Sequence, residues 1–235
     1  MFERETLLIG DKLSLIKSKT VLIIGLGGVG GYVLESLVRA GISNIIIVDN
    51  DTIDITNLNR QIISLQDNIG NKKVLEWKKR VLNINPNINV IDYDMFVTDE
   101  NIDELFKHKI DYVVDACDTI NTKKALIRKC IKNKIKIITS MGTGNKLDPS
   151  KLTITDIRKT SYDPIAKILR KMIRDERINI KIPVVTSSEK PIIKGKVGSI
   201  SYVPAMAGLY ITSYIINDIL RSEGNVWYKK FIRTK

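Results

Sequence analysis

The stretch "DNDTIDITNLNRQ" sets Asp49, Asp51, Asn57, Asn59, Arg60 and Gln61 close together, and "GNKK" adds Lys72 and Lys73. Carboxylates, amides and two kinds of cation in so short a span suit polyphosphate chemistry. An arginine fork and a lysine point charge can neutralise charge that develops as a phosphate bond breaks, while a carboxylate holds a divalent ion. Upstream, "VLIIGLGGVGG" breaks an apolar run into Gly25, Gly27, Gly28 and Gly30. A strand feeding G-x-G-x-x-G and then a helix lets backbone N–H groups approach a phosphate at a helix N-terminus. Taken alone, that loop would also serve a nicotinamide-dependent hydride transfer or a ligand-free turn. A hydride transfer has no use for the polar cluster, although Asp49 falls where such folds place a ribose-binding acid. Downstream, "VVDACDTINTKKA" brings Asp115 and Asp118 to the end of another apolar run. Asp118 is the candidate magnesium ligand; the competing use is that Asp118 or Thr119 caps the following helix.

These groups need a scaffold that delivers them to one edge. Strand-like and helical patterns alternate: strand Thr20–Ile24, helix Gly28 to about Ala40, strand Asn44–Val48, helix Asn71–Leu82 and strand Ile88–Tyr93. Helix Asn101–Phe106, strand Ile110–Asp115, helix Thr122–Lys132 and strand Ile135–Ser140 continue the alternation. The pattern predicts an α/β fold with a doubly wound, mostly parallel Rossmann-like sheet, whose strand ends carry the ligand site. "GTGNKLDPSK" (142–151) marks the passage to a smaller C-terminal α+β part. The first part, 1–145, is read as a nucleotide-binding domain with an N-terminal arm; the second, 146–235, belongs to the same domain and faces the substrate. Strand Leu152–Ile157 precedes a basic helix, "DPIAKILRKMIRDE", with Ile165, Ile168, Leu169, Met172 and Ile173 at helical spacing. "SSEKPIIKGKVGS" (187–199) reads as a mobile polar loop.

The chain has 235 residues and a formal charge of +12, which favours a polyanionic partner such as nucleic acid. A general Lys, Ile and Asn bias would produce the same excess on any solvated face. Two cysteines, Cys117 and Cys130, with no C-x-x-C pair, exclude a four-thiolate zinc site and suit a reducing cytoplasm. Cys130 sits within a helical run, as a packed residue would, and Cys117 would be reactive only with a lowered pKa. His108, the sole histidine, is read as a surface residue. "MFERETLLIG" has neither the charge nor the apolar core of a signal peptide. "YVPAMAGLYITSYIIND" (202–218) reads as a buried helix rather than a bilayer span.

At "GLGGVGG", "DNDTIDITNLNRQ", "GNKKV", "NINPNI" and "DACDTINTK" the chain resembles the adenylating superfamily of ThiF, MoeB and the ubiquitin-activating enzymes. The resemblance implies ATP binding by Gly25, Gly27, Gly28, Gly30, Asp49, Asp51, Asn57, Arg60, Gln61, Lys73, Asp118 and Asn121. Within that set it implies Asp49 at the ribose, Arg60 and Lys73 at the phosphates, and Asp118 on Mg2+; K+ or Na+ is compatible with it. Arg4, in "FERET", resembles the arginine that a homodimer lends to its neighbour's site. Arg60, Lys73, Asp118 and Arg4 are thus the expected catalytic set.

"FERETLLIG", "GTGNKLDPSKLTITDIRKTSYDPIAKILR" and "GSISYVPAMAGLYI" extend the resemblance to the tRNA threonylcarbamoyladenosine dehydratase branch. That branch implies adenylation of the threonyl carboxylate in a tRNA, then ring closure with loss of AMP. The resemblance also allows the sulfur-transfer proteins sometimes associated with the family as partners. Some dehydratases carry a late cysteine; here nothing after Cys130 is cysteine. Lys167, Arg170, Lys171 and Arg174 on the basic helix and Lys190, Lys194 and Lys196 on the loop are the expected backbone contacts for tRNA. The alternative acceptor is the C-terminus of a ubiquitin-like sulfur carrier, and a non-catalytic tRNA-binding scaffold is the third reading.

Overall fold

A computed structural model describes residues 1–193 and 195–222. Lys194 therefore lies outside the described residues. Two short helices, α1 (Glu3–Ile9) and α2 (Leu13–Lys17), lead into β1 (Thr20–Ile24), α3 (Gly30–Arg39) and β2 (Asn44–Val48). The chain continues through α4 (Lys73–Ile84), β3 (Asn89–Tyr93), α5 (Ile102–Leu105), β4 (Tyr112–Asp115), α6 (Ile120–Asn133) and β5 (Lys136–Ser140). After them come β6 (Leu152–Asp156), α7 (Pro164–Asp175), β7 (Pro183–Ser187) and α8 (Tyr202–Arg221).

The strands form one sheet in the order β3-β2-β1-β4-β5-β7-β6. All neighbours run parallel except β6 and β7, which are antiparallel. Parallel strands covered on both faces read as unbroken apolar runs, as "TVLII" and "NIIIV" do. Alternate residues serve opposite layers. Val21, Ile23, Ile45 and Ile47 pack with α3, α4 and α8; Leu22, Ile24, Ile46 and Val48 pack on the side of α6 and α7. From β1 the connections run one way to β2 and β3 and the other way to β4 and β5. The gap between β1 and β4 is thus the switch point, where ligands of open α/β sheets bind beyond the strand ends.

α8 is the one described helix long and apolar enough to cross a membrane, with a mean hydropathy of 1.2. Here it is a core helix. Val203, Ala207, Ile211, Ile215 and Ile219 are fully buried, and a Cβ at Gly208 would meet the Val29 carbonyl at 2.6 Å. Thr212 and Ser36 share a 2.6 Å hydroxyl contact across the α3–α8 seam. At its far end Asp218 accepts from Tyr112 and Lys136, both at 2.7 Å, which pins α8 to the sheet. On the same side of the sheet, Glu35 of α3 joins Arg80 of α4 at 2.7 Å. Burial works against the ionised Glu35, but hydrogen bonds from Arg80 and Arg39 outweigh it and hold the carboxyl below its usual range.

Two sequence expectations need correction. β7, unforeseen from the sequence, inserts between β5 and β6 and so joins the C-terminal part to the parallel sheet. On α7 the packed face is Ala166, Leu169, Met172 and Ile173, whereas Ile168 is 38% exposed. The 187–199 loop is exposed but tethered. Asn145, in left-handed backbone, donates its side-chain amide to the Ile193 and Lys196 carbonyls and accepts from the Gly198 N–H.

Candidate active site

The loop between β1 and α3 packs backbone against backbone at Gly25 and Gly30. Gly25 has φ +87°, and a Cβ there would lie 2.8 Å from the Ala116 and Cys117 backbone. At Gly30 a Cβ would fall 1.8 Å from the Gly25 carbonyl oxygen, so no other residue fits. Gly30 therefore shapes the loop from behind and, unlike Gly25, Gly27 and Gly28, does not line the cleft.

Asp49, at the end of β2, accepts from the Leu26 N–H at 2.6 Å and from the Asp51 N–H at 2.8 Å. It ties the glycine loop to the following turn and still lines the cleft. Asp51 is 58% exposed and holds the buried Lys73 ammonium at 2.7 Å. Arg60 uses one nitrogen, Nη1, on the Thr56 carbonyl (2.8 Å) and Asn59 Oδ1 (2.9 Å), which orients the guanidinium. Asn57 and Gln61 complete this side. Gln61 is buried, and its side-chain oxygen finds no partner among the described residues. A donor group on a ligand would satisfy it.

Across the switch point the two aspartates after β4 part company. Asp115, expected to face the ligand, is sealed inside. Lys123 donates to both its oxygens at 3.0 and 3.1 Å, and Thr139 also donates to it. Lys123 reaches the Ser140 carbonyl too, at 2.9 Å, so the pair bridges β4, β5 and α6. Asp118 instead stays exposed in the cleft with no partner among the described residues. Thr119 does take the N-cap position of α6, but its side chain makes no capping hydrogen bond, and Asp118 does not cap the helix. No cluster of three or more His, Cys, Asp or Glu side chains suited to a metal exists among the described residues. A magnesium ion held by Asp118 would therefore draw its other ligands from substrate phosphates and water, as such ions ordinarily do.

Neither thiol is activated. Burial pushes Cys117 far above the ordinary thiol range, aided by Asp115, to which its Sγ donates at 3.1 Å. Burial likewise pushes Cys130 up to about 12, with Asp115 adding to it. At pH 7.5 both should be alkylated by iodoacetamide far more slowly in the folded chain than in urea, as read by peptide mass. Fast native labelling of Cys117 would show an accessible thiolate. His108, read as a surface residue, is half-buried with Nε2 2.7 Å from the Tyr93 hydroxyl, away from the cleft.

The whole cleft encloses about 1030 Å³. Asp49, Asp51, Asn57, Arg60, Gln61, Lys73 and Asp118 all line it, whereas Asn121 and Arg4 do not. Arg4 is exposed on α1. Phe96, after β3, also lines the cleft, and the far wall holds Lys146, Tyr162 and Asp163, none of them among the candidate site residues. Asp163 caps α7 through the Ala166 N–H and also accepts from the Gly142 N–H at 2.8 Å. Of the expected tRNA contacts, Lys167, Lys171, Arg174, Lys190 and Lys196 are exposed. Arg170 is half-buried, with Nη1 held by the Thr160 carbonyl and hydroxyl.

A glycine loop at the switch point of a doubly wound sheet, ringed by a lysine, an arginine and an unpaired aspartate, defines a nucleotide-binding protein built for phosphate chemistry. The chain belongs to the ThiF family, whose model matches residues 3–227. It is 40% identical over 240 residues to the tRNA threonylcarbamoyladenosine dehydratase of Bacillus subtilis, covering 94% of each chain. The Escherichia coli tRNA N6-threonylcarbamoyladenosine dehydratase, solved in complex with ATP, superposes with a TM-score of 0.89 at 33% identity and 94% coverage of each. The molybdopterin-synthase adenylyltransferase of Haemophilus influenzae is 28% identical over 191 residues, 81% of this chain and 74% of that one.

Proposed function

We propose that this chain is an ATP-dependent enzyme that dehydrates N6-threonylcarbamoyladenosine in tRNA. The observation that carries the reading is the convergence of Lys73, Arg60 and an unpaired Asp118 on one glycine loop, in a chain so similar to a dehydratase along its length. An oxygen of the threonyl carboxylate attacks the α-phosphorus of ATP and pyrophosphate leaves. The ureido group of the same side chain then attacks the acyl carbon, loses a proton and expels AMP. The ring-closing groups are parts of one molecule, so holding them in place supplies most of what that step needs. Lys73 and Arg60 neutralise charge on the leaving phosphates, Asp49 receives the ribose, and the orphan oxygen of Gln61 takes a donor from the nucleotide. Mg2+, held by Asp118, would add charge neutralisation at the phosphates.

Arg4 acts on the neighbouring subunit's site in a homodimer; it shares α1 with the exposed Leu7 and Leu8, which offer an apolar contact. Residues 1–145 supply the adenylation half, and the part from 146 faces the tRNA. Two free thiols fit a cytoplasmic enzyme. Lys167, Lys171 and Arg174 form the exposed cationic side of α7, so replacing all three by glutamate should weaken tRNA binding. The same change should flatten its salt dependence, by about one in the log–log slope for every phosphate that is no longer neutralised. Filter binding across a salt series checks this.

The deciding experiment incubates the chain with ATP, magnesium and modified tRNA and analyses the nucleosides by mass spectrometry. Threonylcarbamoyladenosine should lose one water while AMP accumulates. The alternative, activation of a sulfur-carrier C-terminus, is favoured by the similarity to the molybdopterin-synthase adenylyltransferase. It would show as pyrophosphate exchange that depends on a carrier protein and ignores tRNA.

A further inference from the structure

The proposed reaction must hold two adenosines at once, and the ATP determinants occupy only part of the cleft. Its volume of about 1030 Å³ lies at the top of the usual range for one small-molecule site. Asp49, Arg60 and Lys73 all follow β2 on the β1–β2 side, where Phe96, after β3, supplies the partly exposed ring. The opposite wall, formed after β5 and between β6 and α7, contributes none of these groups.

That wall carries a second aromatic surface. Tyr162 lines the cleft with 52% of its surface exposed and has φ +56°, a left-handed conformation that a bulky residue rarely adopts. It is fixed from both sides, by Thr160 bound to Arg170 and by Asp163 bridging α7 and Gly142. The Lys190 ammonium stands 5.3 Å from the ring centroid. Strained backbone of this kind persists where its surroundings over-determine it, and it clusters at ligand sites.

In the same wall Lys146 is only 5% exposed. Its ammonium donates to the Glu189 carbonyl at 3.2 Å and reaches the Ser187 carbonyl at 3.5 Å. An ammonium has three donors, so one remains. Burial lowers its proton affinity below that of an ordinary lysine, with Asp163 and Glu189 acting the other way. A carboxylate is the natural partner for a buried cation with a donor to spare.

We propose that this wall is the acceptor subsite, where a nucleobase stacks on Tyr162 and the carboxylate it bears is received by Lys146. The inference rests on the adenylation reading and adds how the acceptor is held. Tyr162 supplies a face that any flat base can use, worth enough to change affinity about tenfold. Lys146 selects the modified base over unmodified ones, which carry no acid.

The test measures AMP release by the full-length chain, varying modified tRNA and ATP separately. Tyr162→Ala should raise KM for tRNA about tenfold and leave KM for ATP within about twofold, and Tyr162→Phe should restore it. Lys146→Met should raise KM for the tRNA as well, with Lys146→Arg intermediate. If Lys146→Met fails to fold, as a melting curve would reveal, exposed Tyr162 decides alone. Unchanged KM for tRNA in Tyr162→Ala, or an equal rise in KM for ATP, overturns the subsite. A wild-type chain that binds ATP yet releases no AMP with modified tRNA overturns the adenylation reading instead, and this subsite with it.

Discussion

Lys73→Met is expected to lower kcat for tRNA-dependent AMP release by about 10²–10³-fold while the protein stays folded, because it removes one preorganised charge from the phosphates. Catalysis and folding are separable at this position. Lys73 is buried but its partner Asp51 is 58% exposed, so the carboxylate left behind is solvated rather than stranded. A small change in melting temperature should thus accompany a large loss of rate. Uniform ground-state binding would instead appear as a raised KM for ATP with kcat intact. A kcat within about threefold of wild type at saturating ATP would remove Lys73 from the chemistry. Asp118→Asn offers a second reading of the same cleft: the residue has no structural partner among those described, so a fall in rate cannot be traced to a broken interaction in the fold.

The first half of the site was legible because its residues are local. Gly25 to Arg60 follow β1 and β2 directly, and an apolar run ending in glycines or acids marks a strand end wherever it occurs. The boundaries of β1 and β2 match the sequence runs for the same reason: both are central, covered on both faces, and need continuous Val, Leu and Ile. β7 is hidden in the sequence because it begins at Pro183 and gains its partners from β5 and β6, elements separated from it along the chain. α1 gave no amphipathic signal, since none of its residues is buried.

The acceptor wall was hidden by a similar mechanism. Nothing in "GTGNKLDPSK" distinguishes Lys146 from a solvated lysine until the Ser187 and Glu189 carbonyls arrive from the far side of β7. Asp115 and Asp118 show the limit from the other side. Both stand at one strand end, and only the fold decides that Asp115 turns inward to Lys123 while Asp118 remains in the cleft.

The Asp115–Lys123 pair carries the second large effect, on stability. Both side chains are essentially inaccessible, and the ammonium also satisfies the Ser140 carbonyl and the Thr139 hydroxyl. Forming such a pair brings little net stability, because desolvating two charges offsets their attraction, but removing one partner strands the other. Lys123→Met should cost about 3–5 kcal/mol, which for a chain of this size lowers Tm by about 6–20 °C. Adding Asp115→Asn removes the stranded charge and should recover part of the loss, so the double variant melts above Lys123→Met alone. Replacing Lys129, whose partner Asp103 is mostly solvated, should leave Tm nearly where it is. Equal melting of Lys123→Met and the Lys129 variant would show that the buried pair holds nothing together. The connection to function is direct: Asp115 ends the strand from which Cys117 and Asp118 continue into the cleft. A chain whose β4 end is no longer anchored should lose Asp118 from its place before it unfolds.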